Sequence, residues 1–131
     1  MTVVEEIKNK IPEILIAVRL PAQDYIEGGL SIGEMAIVTQ KLEKLGVDII
    51  DVSSGIGGWR RPKGTRGEGY LINDAQAIKA YTAAPVIGVG GIKTSSFVDS
   101  ALLQQKVDFT AIGRTILENP LKWYYCQMLK T

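Results

Sequence analysis

Two short segments decide the fold of this chain: PVIGVGGI at residues 85–92 and DFTAIGR at residues 108–114. Each begins as an apolar run and ends in glycine, which is the pattern of a buried strand that turns sharply into a helix. Two further apolar runs, at residues 14–18 and 47–52, precede them. Continuous apolar runs of this length are typical of parallel strands that are covered on both faces, so the sequence predicts four parallel strands.

Segments with helical periodicity separate the four predicted strands. Residues 3–10 are expected to be the end of a helix, and a capping box of Ser31 and Glu34 predicts a second helix that stops at Gly46. A last helix is expected from about Thr115 to the end of the chain, bent at Pro120. The helices between them are expected to be capped by Asn73 or Asp74, and by Thr94, Ser95 or Ser96.

Strands that alternate with helices of crossover length imply right-handed βαβ units and a parallel sheet. Four such strands within 131 residues match half of a (β/α)8 barrel, whose usual length is about 250 residues. We therefore expect an α/β chain, residues 1–131, that forms one (βα)4 half-barrel domain. An open doubly wound sheet has the same order of elements, and periodicity alone does not separate the two topologies.

Composition excludes several classes of function. The chain has no histidine, so it cannot supply a histidine-assisted nucleophile or a histidine-ligated zinc, and we expect no metal site. A net charge of +1 gives little attraction to nucleic acid or to anionic lipid, and no apolar run approaches the roughly 20 residues of a membrane span. The single Cys126 favours a reducing, cytoplasmic setting. We expect a small-molecule site or a protein partner.

The strongest candidate site follows the last two predicted strands. Ligands of parallel α/β sheets bind at the carboxyl ends of the strands, and here those ends carry Gly90, Gly91, Gly113 and Arg114. Glycines leave main-chain N–H groups accessible to a phosphate, and a guanidinium can bind phosphate oxygens at two points. The sequence therefore predicts a phosphate site. The alternative is a tight turn followed by a solvated arginine.

Arg19 and the loop at residues 54–71 are weaker candidates. Arg19 directly follows an apolar run, where a cation can hold an anionic ligand, but an ion pair with Asp24 or Asp51 at the barrel rim is an equal alternative. The loop is rich in glycine and carries four cations, so it either binds an anionic group or is a solvated segment. Cys126 and the aromatic cluster at residues 123–125 are expected to pack rather than react.

The chain resembles the carboxyl-terminal half of the Old Yellow Enzyme family of FMN-dependent ene-reductases and NADH:flavin oxidoreductases. The resemblance covers nearly all of the chain in order and spacing. It is carried by IAVRL at residues 16–20 with DY at 24–25, GVDIIDVSSG at 46–55, PVIGVGGI at 85–92, and DFTAIGR at 108–114 with NP at 119–120. It implies that the four strands are strands five to eight of the family's barrel, with FMN as cofactor and NAD(P)H as reductant.

The resemblance also implies roles for single residues. Arg19 would lie against the pyrimidine side of the flavin, and Tyr70 would lie on the substrate-side loop. The phosphate cradle for FMN would consist of Gly90, Gly91, Gly113 and Arg114, with Val89 and Ile92 lining it. No catalytic residue is assigned to this chain, because the family's substrate-binding histidines and proton-donating tyrosine belong to strands one to four.

Two interpretations of function stay open. In the first, the chain is a flavin oxidoreductase polypeptide that is catalytically incomplete until a second copy or a separate amino-terminal half-barrel chain completes the barrel. Unpaired strand edges and a wet inner face favour such oligomerisation. In the second, it is a non-catalytic half-barrel that binds a phosphate-bearing ligand or serves in assembly. A phosphate-sugar isomerase or lyase half-barrel is a weaker third possibility, since no suitable acid–base pair is present.

Overall fold

The computed structural model describes residues 2–58, 66–121 and 123. Helices and strands alternate strictly along this part of the chain, as the sequence predicts. The elements are α1 (Thr2–Lys10), β1 (Ala17–Pro21), α2 (Ile32–Lys44), β2 (Ile49–Ser53), α3 (Ile72–Lys79), β3 (Val86–Gly88), α4 (Ser95–Leu103), β4 (Phe109–Thr110) and α5 (Arg114–Glu118).

The four strands form one parallel sheet in the order β1-β2-β3-β4. A doubly wound sheet reverses its strand order at a switch point, and this sheet does not, so its right-handed crossovers place the helices on one face. This is the arrangement of half a (β/α)8 barrel, and it decides between the two predicted topologies.

The prediction that the strands are covered on both faces is wrong for this chain. Alternate residues that face the helices, such as Ile50, Val52 and Val86, are fully buried in the hydrophobic core. On the other face, which would be the interior of a closed barrel, Arg19 and Phe109 are exposed. The strand register aligns Arg19, Asp51, Ile87 and Phe109 across that open face.

Helix starts follow the predicted caps in two cases and differ in a third. Ser31 and Glu34 form a reciprocal capping box at α2, and Thr94 caps α4 by accepting a hydrogen bond from the main chain of Phe97. The cap predicted at Asn73 or Asp74 is wrong, because both residues lie inside α3, which begins after Leu71 without a side-chain cap. The Asp74 carboxylate instead accepts a hydrogen bond from Gln23, at 3.3 Å.

The first strand also lies further along the chain than its apolar run predicts. It spans Ala17–Pro21 rather than residues 14–18, because the main chain turns at Ile14, whose N–H donates to the carbonyl of Ile11. Arg19 therefore lies in the middle of β1 rather than after it. The last helix begins at Arg114, one residue before its predicted start, and its predicted continuation at residue 122 and residues 124–131 lies outside the described residues.

The amino ends of the strands are held by a repeated contact. The carboxylate of Asp48 accepts hydrogen bonds from the main-chain N–H of Ile16 at 2.8 Å and from the Lys8 ammonium at 2.9 Å. It thereby joins α1, β1 and the start of β2. We call this contact the aspartate clamp. The same contacts recur between α3, β3 and the start of β4, where the residues are Lys79, Val86 and Asp108.

Candidate functional site

A pocket of about 670 Å³ opens at the carboxyl ends of the four strands. It brings together Arg19, Tyr70 and the candidates for the phosphate cradle. Those residues are Arg19, Tyr70, Val89, Gly90, Gly91, Ile92, Gly113 and Arg114. They come from the middle of β1, from the loop after β2 and from the segments after β3 and β4, so the fold assembles one site from segments that are far apart in sequence.

The turn after β3 has a backbone that favours glycine. Gly90 and Gly91 have φ angles of 123° and 63°, in the region that L-residues with a Cβ rarely adopt. A Cβ at Gly91 would lie 3.3 Å from the Tyr70 ring and 3.8 Å from Nη2 of Arg114. Gly91, Tyr70 and Arg114 therefore meet at one point of the pocket, with bare main chain beside a guanidinium.

The segment after β4 is attached to the same turn. The Thr115 hydroxyl donates a hydrogen bond to the carbonyl of Ile92 at 2.9 Å, which fixes the start of α5 against the end of β3. Gly113 has no neighbouring atom within 4 Å of the position that a Cβ would take, so its main chain faces open space. A group in the pocket can approach the backbone on this side without a steric barrier.

Arg19 enters the pocket from the open face of the sheet. Its guanidinium lies 3.5 Å from Oδ2 of Asp51, its register partner on β2, and 3.5 Å from Oγ of Ser53. The ion pair with Asp51 that the sequence left as an alternative is thus present, whereas the pairing with Asp24 is not. The Arg19 side chain is still 60% exposed, so the ion pair leaves most of the cation accessible to a ligand.

Glu68 is a pocket residue that the sequence analysis missed. Its carboxylate accepts hydrogen bonds from the main-chain N–H groups of Lys93 and Thr94, both at 2.6 Å, and from the Thr94 hydroxyl at 3.0 Å. Burial acts to raise the pKa of Glu68, but these hydrogen bonds outweigh it and hold the pKa below its usual range. Sequence spacing gives no signal for this contact, because its main partners are backbone groups.

Some predicted candidates lie outside the described residues. In the loop at residues 54–71 these are positions 59–65, while Arg66, Glu68, Tyr70 and Leu71 line the pocket. Cys126 and two aromatic residues of the terminal cluster, Tyr124 and Tyr125, are also outside. The third, Trp123, is partly buried against the hydrophobic core, as expected for a packing residue.

Within residues 2–58, 66–121 and 123, no three His, Cys, Asp or Glu side chains come together in a way that could hold a metal ion. Among the helices of the same part of the chain, none is long and apolar enough to cross a membrane.

The pocket is lined by more cations than carboxylates: Arg19, Arg66, Lys93 and Arg114 against Glu68 and Glu118. Three guanidinium groups line it: that of Arg19 comes from β1, that of Arg66 from the loop after β2, and that of Arg114 from the start of α5. The glycine turn after β3 lines the same pocket. Guanidinium groups and accessible main-chain N–H groups are the usual protein ligands of phosphate. A parallel α/β half-barrel with a pocket at the carboxyl ends of its strands has the architecture of (β/α)8-barrel proteins, whose ligand sites lie at that end.

The family follows from comparison with known proteins. The sequence profile of the NADH:flavin oxidoreductase / NADH oxidase family matches residues 1–124, and this chain belongs to that family. The match covers all four strands and both glycine-rich turns, so it confirms the resemblance on which the residue roles were based.

Curated relatives carry several names. The chain is 30% identical over 125 residues to an NADH oxidase of Thermoanaerobacter brockii, covering 92% of this chain and 19% of the relative. It is 30% identical over 115 residues to a bilirubin reductase of Clostridium symbiosum (82% and 31%). It is 32% identical over 118 residues to an NADPH dehydrogenase of Bacillus pumilus (88% and 34%). The chain thus spans about a fifth to a third of the length of these relatives.

Solved structures share the fold. A structure of histamine dehydrogenase from Rhizobium sp. 4-9 superimposes with a TM-score of 0.77 at 24% identity, over 90% of this chain and 17% of that one. A 2-naphthoyl-CoA reductase in complex with 2-naphthoyl-CoA superimposes with a TM-score of 0.84 at 18% identity, over 95% of this chain and 20% of that one. In each case the half-barrel matches a small part of a much larger protein.

Proposed function

We propose that this chain supplies the phosphate-binding half of an FMN site in a NAD(P)H:flavin oxidoreductase of the ene-reductase kind. The observation that carries the proposal is the convergence of Gly91, Tyr70 and Arg114, where a guanidinium lies beside main chain that carries no side chain. A phosphate monoester with two negative charges suits this arrangement better than a neutral ligand does.

The residues present fit FMN at both of its ends. Gly90, Gly91, Gly113 and Arg114 would hold the phosphate, and Arg19 would bind the ring from the middle of β1 and stabilise negative charge on it. When bound, FMN supplies hydride transfer between a nicotinamide and an acceptor. The chain contributes orientation and charge, and we assign no residue of it to proton transfer. Tyr70 would close one wall of the site.

We propose that the reaction requires a complete barrel. Apolar side chains are exposed on the open face of the sheet and on its two edge strands, β1 and β4. Phe109, for example, is 53% exposed. A second copy of the chain, or an amino-terminal half-barrel chain, would cover both. The single Cys126 is consistent with a reducing, cytoplasmic setting.

Comparison of FMN with riboflavin tests the phosphate site, because the two differ only in the phosphate. We expect the chain to bind FMN more tightly by about tenfold to a hundredfold, and Arg114→Ala to remove most of this preference. Lys41→Ala, which removes an exposed cation from α2, serves as the control and should retain it. Equal affinity for FMN and riboflavin in the unmodified chain would contradict the proposal.

The exposed sheet edges favour a second candidate function, assembly without catalysis. Sedimentation of the purified chain measures whether it associates, and bound flavin is read from the absorbance of the same sample. Colourless oligomers that fail to take up added FMN would favour assembly alone. A compact 14.3 kDa monomer at micromolar concentration would contradict completion by a second copy.

A further inference from the structure

Glu68 joins the loop after β2 to the start of α4. One oxygen of its carboxylate, Oε1, accepts three hydrogen bonds from Lys93 and Thr94, and the other, Oε2, lies 3.2 Å from the Thr94 hydroxyl. Main-chain N–H groups at a helix start have no partner within the helix, so a carboxylate there stabilises the helix and is itself stabilised. The loop that carries Glu68 is held to α4 by these contacts.

The residues after Glu68 continue the attachment up to the cradle. Gly69 has a φ of 68°, and the Phe97 ring of α4 occupies the space that a Cβ would need there. The main-chain N–H of Tyr70 donates to the carbonyl of Gly90 at 3.1 Å. The Tyr70 ring then lies against Gly91, on the side of the Arg114 guanidinium. Three consecutive residues thus connect α4 to the wall of the pocket.

We propose that Glu68 is a positioning residue for the phosphate cradle: by fixing the loop to the start of α4, it holds Tyr70 against Gly91 beside Arg114. The inference rests on the proposed function, because it assumes that the cradle binds a phosphate group. Glu68 does not contact the ligand in this scheme. It restricts the motion of Tyr70 and the loop before binding, so that less conformational entropy is lost when the phosphate binds.

Repulsion between the Glu68 carboxylate and a phosphate is the opposing effect. Glu68 and Glu118 line the pocket, but so do four cations, which are Arg19, Arg66, Lys93 and Arg114. The charge of Glu68 is directed at main-chain N–H groups and a hydroxyl, which already compensate it. We therefore expect the positioning effect to exceed the repulsion.

The test measures the ratio of the riboflavin Kd to the FMN Kd in Glu68 variants. Glu68→Ala should lower this ratio about tenfold through weaker FMN binding, with riboflavin affinity changed less than twofold. Glu68→Gln keeps an oxygen acceptor for Lys93 and Thr94 and should restore most of the ratio. Glu118→Ala is the matched control: it removes a pocket carboxylate without touching the loop contact, and measures the effect of charge alone.

Amide hydrogen exchange gives a second measurement that does not depend on flavin. The N–H groups of Lys93 and Thr94 should lose protection in Glu68→Ala and keep it in Glu68→Gln. The proposal is overturned if Glu68→Ala retains the FMN preference, or if it strengthens FMN binding as much as Glu118→Ala does. A chain that shows no FMN preference even unmodified refutes the proposed function, and the role of Glu68 with it. A preference that survives Glu68→Ala refutes only the role of Glu68.

Discussion

The amino end and the carboxyl end of the parallel sheet are built from different kinds of contact. At the amino end the same aspartate clamp occurs twice, each time joining a helix, a strand and the start of the next strand. Both clamps pair their cation: the Lys8 and Lys79 ammonium groups lie 2.9 and 2.8 Å from carboxylate oxygens. In each clamp the ammonium and the carboxylate therefore satisfy one another.

At the carboxyl end the charged groups are less fully compensated. The Arg19 side chain is 60% exposed. Gly90 and Gly91 have positive φ angles, and ordering glycine in such a turn costs more backbone entropy than ordering another residue in a regular strand. We interpret the difference as a division of roles, in which one end of the fold serves stability and the other carries the groups proposed to bind the ligand, as in complete barrels of this class. If that division holds, substitutions in the clamps should lower the free energy of unfolding without changing the preference for FMN over riboflavin.

Acid should produce the largest loss of stability, because it releases both clamps together. The pKa of Asp48 is lowered by hydrogen bonds from Ile16 and Lys8. Burial acts to raise the pKa of Asp108, but hydrogen bonds from Lys79 and Val86 outweigh it. A pKa that is lower in the folded state contributes stability above the unfolded value, about 3.9, and this is lost as the pH falls through the folded value. Urea unfolding measured at intervals from about pH 5 down to about pH 2 follows the loss.

Asp74 has the opposite effect on stability in acid, because its pKa is raised rather than lowered. Burial raises its pKa, against a smaller lowering by the hydrogen bond from Gln23, so its protonation favours the folded state as the pH falls. Asp74→Asn should therefore make acid unfolding steeper, since it removes a group that offsets the loss of the clamps. A shallower acid transition in this variant would contradict the assignment.

Removal of one clamp should cost less than acid does. Asp108→Ala leaves the N–H of Val86 and the Lys79 ammonium without their shared partner. We expect a loss of about 1–2 kcal/mol in the free energy of unfolding, since Asp108 is partly exposed and its ion pair is screened by solvent. The preference for FMN over riboflavin should stay unchanged in the molecules that remain folded. A lost preference would show that the two ends are not independent.

The sequence predicted the carboxyl end better than the amino end, for a physical reason. Glycines after apolar runs and an arginine at a helix start are local signals, so spacing and resemblance predict Gly90, Gly91 and Arg114 as one site, and the structure brings them into one pocket. The carboxylates of the clamps and of Glu68 accept hydrogen bonds from main-chain N–H groups that only the folded chain brings near them. Residue spacing in the sequence does not predict such contacts. The position of β1 differs from the prediction for a similar reason: the turn between Ile11 and Ile14 and the pairing with β2 set where the strand begins, and its apolar run signals neither.

Gly91→Ala should affect the carboxyl end with a moderate cost in stability. A φ of 63° is strained for alanine, which costs about 1 kcal/mol, and the new Cβ would lie 3.3 Å from the Tyr70 ring. Because the methyl group would enter the cradle, we expect the FMN preference to fall as well. The control is Gly33→Ala in α2. The added Cβ would have no neighbour within 4 Å outside the backbone of its own helix, and a helix tolerates alanine. Equal behaviour of the two variants would count against a cradle at Gly91.

Asp51→Asn should have the smallest effect on stability, although Asp51 carries the same charge as the clamp residues. Its ion pair with Arg19 spans 3.5 Å and involves a guanidinium that is largely exposed, and such pairs contribute less than about 0.5 kcal/mol. Among the described residues its Oδ1 has no hydrogen-bond partner, so no backbone group depends on it as Val86 depends on Asp108. Thermal unfolding of the two variants side by side measures the difference. A loss in Asp51→Asn as large as that in Asp108→Ala would mean that Arg19 and Asp51 form a structural contact, and Arg19 would then be a poor candidate for binding the flavin ring.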